Sequence, residues 1–138
     1  MPLFSRRKET EVQSFMLKLL NNNCAELEAM IEGPRLDRRV NLTIVVLVVP
    51  FEKGRLQIDR TFATVTKGFS TTGVSLVLNE PKGLDEVILG FRWEMGMKFV
   101  LARAKHLNPM GAGFYQVGMQ MVRVVHPDEH SELQSLCF

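Results

Sequence analysis

The segment LTIVVLVVPF, residues 42–51, constrains the fold of this chain more than any other feature. It is the longest apolar run, it is rich in β-branched residues, and it is about half as long as a membrane-spanning helix must be. We therefore interpret it as a buried strand that ends at Pro50. Its apolar residues fall on both faces, with Leu42, Ile44, Val46 and Val48 on one side and Val45, Leu47 and Val49 on the other.

Residues 9–32, which precede this run, are predicted to form an amphipathic helix. Apolar residues recur there at spacings of three and four, which places them on one stripe, and Gly33-Pro34 is a strong stop signal. The asparagines at 21–23 weaken the middle, so a kinked helix and two shorter helices are both compatible with the pattern. The helix could cover the outer face of the first strand.

After the apolar run the pattern indicates further short strands, at about 56–66, 74–79, 87–94, 97–106 and 113–125. The stretch PFEKG at 50–54 is a turn signal, and NPMGAGF at 108–114 is typical of a hairpin turn. Short strands joined by turns predict an all-β core, either a small antiparallel barrel or a sandwich, with one added helix. The tail, residues 126–138, could form one or two helical turns with little to hold them.

Bulk properties exclude several classes of protein. A chain of 138 residues is most simply one domain, and a net charge of +2 is too small to predict binding to a nucleic-acid polymer. The N-terminal residues lack the apolar region of a signal peptide, and no segment is long enough to insert into a membrane. With two cysteines, expected to be free thiols, the sequence predicts a cytoplasmic protein.

Two patterns invite an enzymatic interpretation and do not support one. HPDEH at 126–130 fits a zinc-protease pattern, yet the only later carboxylate, Glu132, is too close in sequence to be the usual third ligand. In GFSTTG at 68–73 the second glycine falls one residue too late for the strained turn of a serine hydrolase. We therefore expect a non-enzymatic protein without a catalytic residue, a metal site or a cofactor.

Two further motifs remain, and their order and spacing are informative. The first is Arg35-Leu36-Asp37-Arg38-Arg39, just before the first strand, and the second is Gly68-Phe69-Ser70-Thr71-Thr72-Gly73, between two predicted strands. Arginines crowded in this way suit an anion, because each guanidinium is positively charged and offers a fork of donors that matches phosphate oxygens.

This arrangement resembles the PilZ domain, a family of bacterial cyclic-di-GMP receptors. The family has R-x-x-x-R ahead of its first barrel strand and [D/N]-x-S-x-x-G about thirty residues later. The later segments VILGFRW, KFVLARAKHLN and GAGFYQVGMQMV also fit, the last of them with the G-x-x-F/M pattern of the family. The resemblance implies a six-stranded antiparallel barrel over residues 35–125, preceded by the arm and helix of residues 1–34 and followed by the tail of residues 126–138.

The resemblance also implies a ligand site. Arg35 and Arg39 would bind the phosphates and guanine edges of cyclic-di-GMP, with Arg38 as a third cation. Ser70 would hydrogen-bond the ligand, and Gly73 would permit a tight turn. Gly68 departs from the pattern, because it stands where the family has Asp or Asn. Thr66 or Lys67 could compensate, although lysine cannot accept a hydrogen bond.

Two functions follow from these expectations. The first is a cyclic-di-GMP receptor that signals to an unidentified protein partner by rearranging its N-terminal segment. The alternative is a degenerate PilZ domain that has lost nucleotide binding and acts as an interaction or scaffold module. In that case the apolar stripe of the helix could form a homodimer instead of packing on the barrel.

Overall fold

The computed structural model describes residues 11, 14–15, 40–41, 43–70, 72–81, 83–93 and 96–136. Within these residues the chain forms eight strands, all paired in antiparallel fashion. They are β1 (Val40–Asn41), β2 (Val45–Glu52), β3 (Arg55–Leu56), β4 (Phe62–Phe69), β5 (Gly73–Leu78), β6 (Glu86–Trp93), β7 (Gly96–Gly111) and β8 (Phe114–Val125).

Six of these strands close into a barrel in the order β2-β4-β5-β8-β7-β6, with β6 returning to β2. The two-residue strands extend it, since β1 pairs with the end of β4 and β3 forms a hairpin with β2. Closure depends on the apolar run, because Val46, Leu47 and Val48 in β2 pair with both β4 and β6. The predicted six-stranded antiparallel barrel is confirmed.

Strand β2 continues past Pro50, where the sequence predicted its end, and it reaches Glu52. The Pro50 carbonyl oxygen accepts a hydrogen bond from the Gln57 backbone nitrogen at 2.8 Å. The nitrogen and the carbonyl of a strand residue face the same neighbouring strand. The nitrogen of Pro50, which carries no hydrogen, therefore lies on the β3 side and not on the side of β6. No bond of the β2–β6 ladder is lost, which is the condition under which a strand tolerates proline.

The predicted strand at 56–66 is wrong in its bounds. The β2–β3 hairpin turns at Lys53 and Gly54, both with positive φ (52° and 75°), as a two-residue hairpin loop requires. A 3₁₀ turn at Ile58–Arg60 then interrupts the extended chain, and β4 runs on to Phe69.

The hairpin predicted at 108–114 is confirmed, with a shorter turn than expected. Only Ala112 and Gly113 form the turn, and both have positive φ. Residues 108–111 still belong to β7, so that strand extends beyond the predicted 97–106. The pairing of β7 with β6 ends at Arg103, so the rest of β7 continues beside β8 beyond the end of β6. The apolar residues Leu107, Met110 and Phe114 of this hairpin are exposed.

The barrel interior is filled by one apolar cluster. Val46 and Val48 of β2 are buried in it, together with Phe69 of β4 and two or more residues from each of β5, β6, β7 and β8. Phe15, which is helical, also belongs to this interior cluster and is only 5% exposed. The remainder of the predicted helix of residues 9–32, apart from Glu11 and Ser14, lies outside the described residues.

A second apolar cluster covers the outer face of the barrel wall. It is formed by Val49, Ile88, Phe99, Val125 and Leu133, with Leu56, Ile58 and Leu136 among the partly buried residues around it. Leu133 lies in the tail, within the 3₁₀ helix Ser131–Leu136, and is fully buried. The expectation that little would hold the tail is therefore wrong: the tail covers the outer face of β2 at Val49, the role assigned to the N-terminal helix.

Across the described part of the chain, no helix is long and apolar enough to cross a membrane.

The tail is also joined to β8 by an ion pair. Glu129 accepts a hydrogen bond from the His126 backbone N–H at 3.0 Å and contacts the Arg123 guanidinium at 2.8 Å. The His126 N–H, followed by Arg123, lowers the pKa of Glu129 below its ordinary value of 4.5, while partial burial opposes this shift. These contacts leave the HPDEH segment as a capped 3₁₀ turn, Pro127–Glu129.

Glu129→Gln is expected to weaken the fold at neutral pH and to have little effect in acid. A carboxyl whose folded pKa is lowered stabilises the protein fully above its unfolded pKa, and the stabilisation is lost as the pH falls through the folded pKa. The difference in urea midpoint between wild type and Glu129→Gln should therefore be largest near pH 7 and shrink below pH 4.5. A difference that is constant across this range would contradict the assignment.

Candidate functional site

The loop between β4 and β5 carries the second sequence motif and is held by its own hydrogen bonds. The Ser70 backbone N–H donates to the Gly73 carbonyl at 2.9 Å, which closes the loop. The Thr72 carbonyl accepts from the Met121 backbone N–H, also at 2.9 Å, and this bond fixes the loop to β8. The described residues of the loop are therefore hydrogen-bonded both to one another and to the barrel wall.

The buried side chain of Ser70 forms hydrogen bonds with the backbone of this loop. Its residue surface is 2% exposed, and its Oγ accepts from the backbone N–H groups of Thr72 at 3.3 Å and Gly73 at 3.2 Å. The same hydroxyl donates a hydrogen bond to the Gly73 carbonyl oxygen, 3.2 Å away. A serine hydroxyl has one donor and two acceptor positions, so the loop backbone can use all of them. The ligand contact predicted for Ser70 stays a prediction, and it would require one of these bonds to be exchanged.

Gly73 is required for close approach between strands. A Cβ at this position would lie 2.5 Å from the Met119 carbonyl oxygen, which belongs to the backbone of β8. Gly73 does not have a positive φ, so its role in the turn is to let β5 pack against β8 without a clash.

We expect Gly73→Ala to lower the free energy of unfolding by about 1–3 kcal/mol, the usual cost of overpacking a site that cannot yield. Gly83→Ala is the matched control, because a Cβ at Gly83 would have no neighbour within 4 Å and its φ is not positive. Urea unfolding of the two variants measures the difference. Equal stability of both variants would show that the β8 backbone moves aside at little cost.

Gly68 lies in a bulge at the end of β4. Thr66 pairs with Leu76 and Phe69 with Val74, so Lys67 and Gly68 together oppose a single residue of β5. Glycine within a strand commonly marks such a bulge. On the other side of β4, Gly68 is paired with Asn41 of β1. Gly68 is thus the point at which the loop motif meets the strand that follows the arginine motif.

The three arginines, Arg35, Arg38 and Arg39, lie outside the described residues. Their connection to the site is nevertheless set by the chain, because Arg39 is bonded to Val40 and Val40 pairs with Phe69.

An aromatic series connects this end of the barrel to the N-terminal helix. The Phe69 and Phe91 rings pack edge to face with centroids 6.2 Å apart, and the Phe91 and Phe15 rings do so at 5.9 Å. Phe15 is one of the apolar residues of the predicted helix. Its partners could not be identified from the sequence, because they belong to strands far away in the chain.

Other candidate sites are separate from this loop. Two cavities, of about 450 and 500 Å³, share Phe62 and Glu80 among their lining residues and adjoin the opposite end of β4. No group of three or more His, Cys, Asp or Glu residues that could hold a metal ion occurs among the residues that the structure describes.

Comparison with known proteins yields structural neighbours and no sequence relative. No known family model matches the chain, and no curated protein matches it. Among solved structures, the Bacillus subtilis inhibitor of motility (MotI/DgrA) is similar to 75% of this chain and 49% of its own, with 16% sequence identity and a TM-score of 0.45. MrkH of K. pneumonia in its apo state gives the same identity and TM-score over 76% of this chain and 49% of its own. The chain therefore spans about half the length of these two proteins.

Proposed function

We propose that this chain is a non-enzymatic, cytoplasmic receptor of the PilZ type that binds cyclic-di-GMP at the β1–β4 end of the barrel. The observation that carries the proposal is the pairing of Val40 and Asn41 with Phe69 and Gly68. It joins the end of the arginine motif to the start of the loop motif, although the two are separated by about thirty residues of sequence. Motifs that bind the same ligand must lie close together in space, and this pairing brings the end of one motif to the start of the other.

The chemistry of the two motifs is complementary to the proposed ligand. Cyclic-di-GMP carries two phosphates and two guanines, and arginine can bind the oxygens of a phosphate or the O6/N7 edge of guanine with paired donors. We assign these contacts to Arg35 and Arg39, with Arg38 as an additional cation. The Ser70–Gly73 loop, held by its own hydrogen bonds and by Met121, would form the fixed wall against which the arginines close.

Signalling would involve the N-terminal helix, through Phe15. This residue packs on Phe91, which packs on Phe69 directly beside the loop. A ligand that moves the arginine segment would change the packing around Phe69 and thereby the docking of the helix. We expect cyclic-di-GMP to change hydrogen exchange in peptides from residues 9–32, with peptides from residues 126–136 as an internal control. Unchanged exchange at saturating ligand would exclude this route of signalling.

The receptor proposal is tested by calorimetric titration of the purified protein with cyclic-di-GMP, in parallel with cyclic-di-AMP. The two ligands share the phosphate ring and differ in the base, so a site that reads guanine edges should bind only the first with micromolar affinity. If no heat of binding is measured at tens of micromolar cyclic-di-GMP, the proposal is refuted. Equal binding of both ligands would leave an anion site without the proposed base recognition.

Two observations keep the alternative of a degenerate PilZ domain as a second hypothesis to be tested. Gly68 provides no side chain where the family has Asp or Asn, and the hydrogen-bonding positions of the Ser70 hydroxyl can all be filled by the loop itself. Such a domain would serve as an interaction or scaffold module, with a protein partner or a second copy bound to the apolar stripe of the N-terminal helix. If wild type does not bind cyclic-di-GMP and Gly68→Asp does, the alternative is correct.

A further inference from the structure

The outer face of β2 is covered along only part of its length. Val49 is fully buried in the cluster that contains Leu133 of the tail. Toward the start of the strand the cover is lost, since Leu47 is partly buried and Val45 is 66% exposed. Among the large apolar residues that the structure describes, Val45 has the largest exposed fraction. The most apolar strand of the barrel therefore presents an apolar surface to its surroundings.

This apolar surface continues across the neighbouring strands. Val45 pairs with Val65 of β4, and Leu47 pairs with Ala63, so that each pair lies on one face of the sheet. Both β4 residues line the cavity of about 450 Å³ between β4 and β5. The cavity is also lined by one residue of β5 and by one of β8 that is 46% exposed. We call the whole surface the apolar face; it consists of Val45, Leu47, Ala63, Val65, Val77 and Phe114. Contiguous exposed apolar surface of this kind marks a contact with another molecule.

The two ends of the apolar face carry opposite charges. Lys67 is exposed and lies two residues beyond Val65, toward the end of β4. At the start of β4, the adjoining cavity of about 500 Å³ is lined by more acidic than basic side chains. Among its described lining residues the charged ones are Glu52, Asp59, Glu80 and Arg60. The described surface thus runs from a cationic end, across an apolar centre, to an acidic end.

We propose that the apolar face is the contact surface of a homodimer, in which a second copy packs on it in the antiparallel direction. A two-fold interface brings the same surface of both copies together. With the two β4 strands antiparallel, Lys67 of each copy lies against the acidic end of the other copy, and the apolar centres meet. A parallel arrangement would place like charges together, which is unfavourable. The second copy therefore has the charge pattern that this face requires of a partner.

The test is the mass of the full chain in solution without nucleotide, measured by sedimentation equilibrium between about one and a hundred micromolar. We expect a dimer that dissociates within this range. Val45→Lys should be monomeric throughout, because a lysine there would be buried in an apolar contact without a partner. Leu107→Lys is the matched control, since it places the same charge at another exposed apolar position, on the β7–β8 hairpin. It should dimerise as wild type does.

A second pair of variants tests the antiparallel arrangement. Lys67→Glu should weaken the dimer roughly two- to thirty-fold, because both symmetry-related ends of the contact lose an attraction. Lys105→Glu makes the same change of net charge at an exposed position of β7 and should have no effect. Adding Asp59→Lys to Lys67→Glu should restore part of the affinity, since the acidic end then becomes less negative. Equal weakening by the two single lysine variants would mean that association depends on net charge alone, and the inference would be wrong.

The remaining outcomes are equally decisive. Wild type that is still monomeric at about a hundred micromolar overturns the inference. So does a monomer that Val45→Lys destabilises toward urea, because the face would then be covered by another segment of the same chain. A dimer that Val45→Lys leaves intact places the contact elsewhere. If Val45→Lys does not fold, Val45→Thr keeps the β-branched shape and should still weaken the dimer. Because nucleotide is absent from these measurements, their result does not depend on the proposed function.

Discussion

Arg35→Ala/Arg39→Ala is expected to bind cyclic-di-GMP roughly a hundred to ten thousand times more weakly than wild type. Each charge-assisted hydrogen bond contributes about 1.5–3 kcal/mol, and each 1.4 kcal/mol corresponds to a factor of ten in affinity. Two such contacts are removed together. The fold should be unaffected, because both substitutions precede β1, the first strand of the sheet. Calorimetry measures the affinity, and thermal unfolding verifies the fold.

Arg55→Ala/Arg60→Ala is the matched control for this variant, because it removes the same charge from a different part of the surface. Arg55 lies in β3, and Arg60 lies before β4, at the end of that strand away from Gly68. The exposed pair between Arg60 and Glu52, at 3.6 Å, contributes little to stability. Equal losses of affinity in both double variants would mean that binding depends on net charge alone, and the assignment of Arg35 and Arg39 would fail.

Leu133→Ala is expected to lower the free energy of unfolding by about 2–5 kcal/mol, as for other fully buried leucines. Leu133 packs against Val49, Ile88, Phe99 and Val125 on the outer face of the barrel, where alanine would leave a cavity. A loss of this size is a large part of the roughly 5–15 kcal/mol that stabilises a typical domain. Urea unfolding measures the loss.

Gln134→Ala controls for a substitution in the same 3₁₀ helix, because Gln134 is exposed and should change stability by less than about 0.5 kcal/mol. If Leu133→Ala is as stable as Gln134→Ala, the tail contributes nothing to the barrel.

The architecture was predictable because it depends on local patterns. The β-branched run identified the central strand, and the glycine-containing turns identified the hairpins. Strand limits that depend on tertiary pairing were not predictable. Proline ends a strand only where the neighbouring strand needs an N–H donor at that position. Which strand faces the nitrogen of Pro50 is set by the fold. Likewise, Leu133 is one apolar residue in a polar tail, and only the position of β8 brings it to Val49.

The candidate site could be identified from the sequence as a pair of motifs, but which of their residues lie close together could not. Register determines which residues meet, and no property of the isolated motif shows that Gly68 pairs with Asn41. The steric conflict at Gly73 could not be predicted either, since it arises with Met119, which is distant in sequence. Long-range packing of this kind leaves no periodic signal in the sequence.

Closure of the barrel protects the apolar strand β2 from aggregation. A β-branched stretch such as VVLVV, with no charge, is the type of sequence that assembles into cross-β fibrils when its backbone is accessible. In this fold both hydrogen-bonding edges of Val46–Val48 are occupied, by β4 and by β6. Any variant that opens the seam between β2 and β4 should therefore aggregate well before the rest of the barrel has melted.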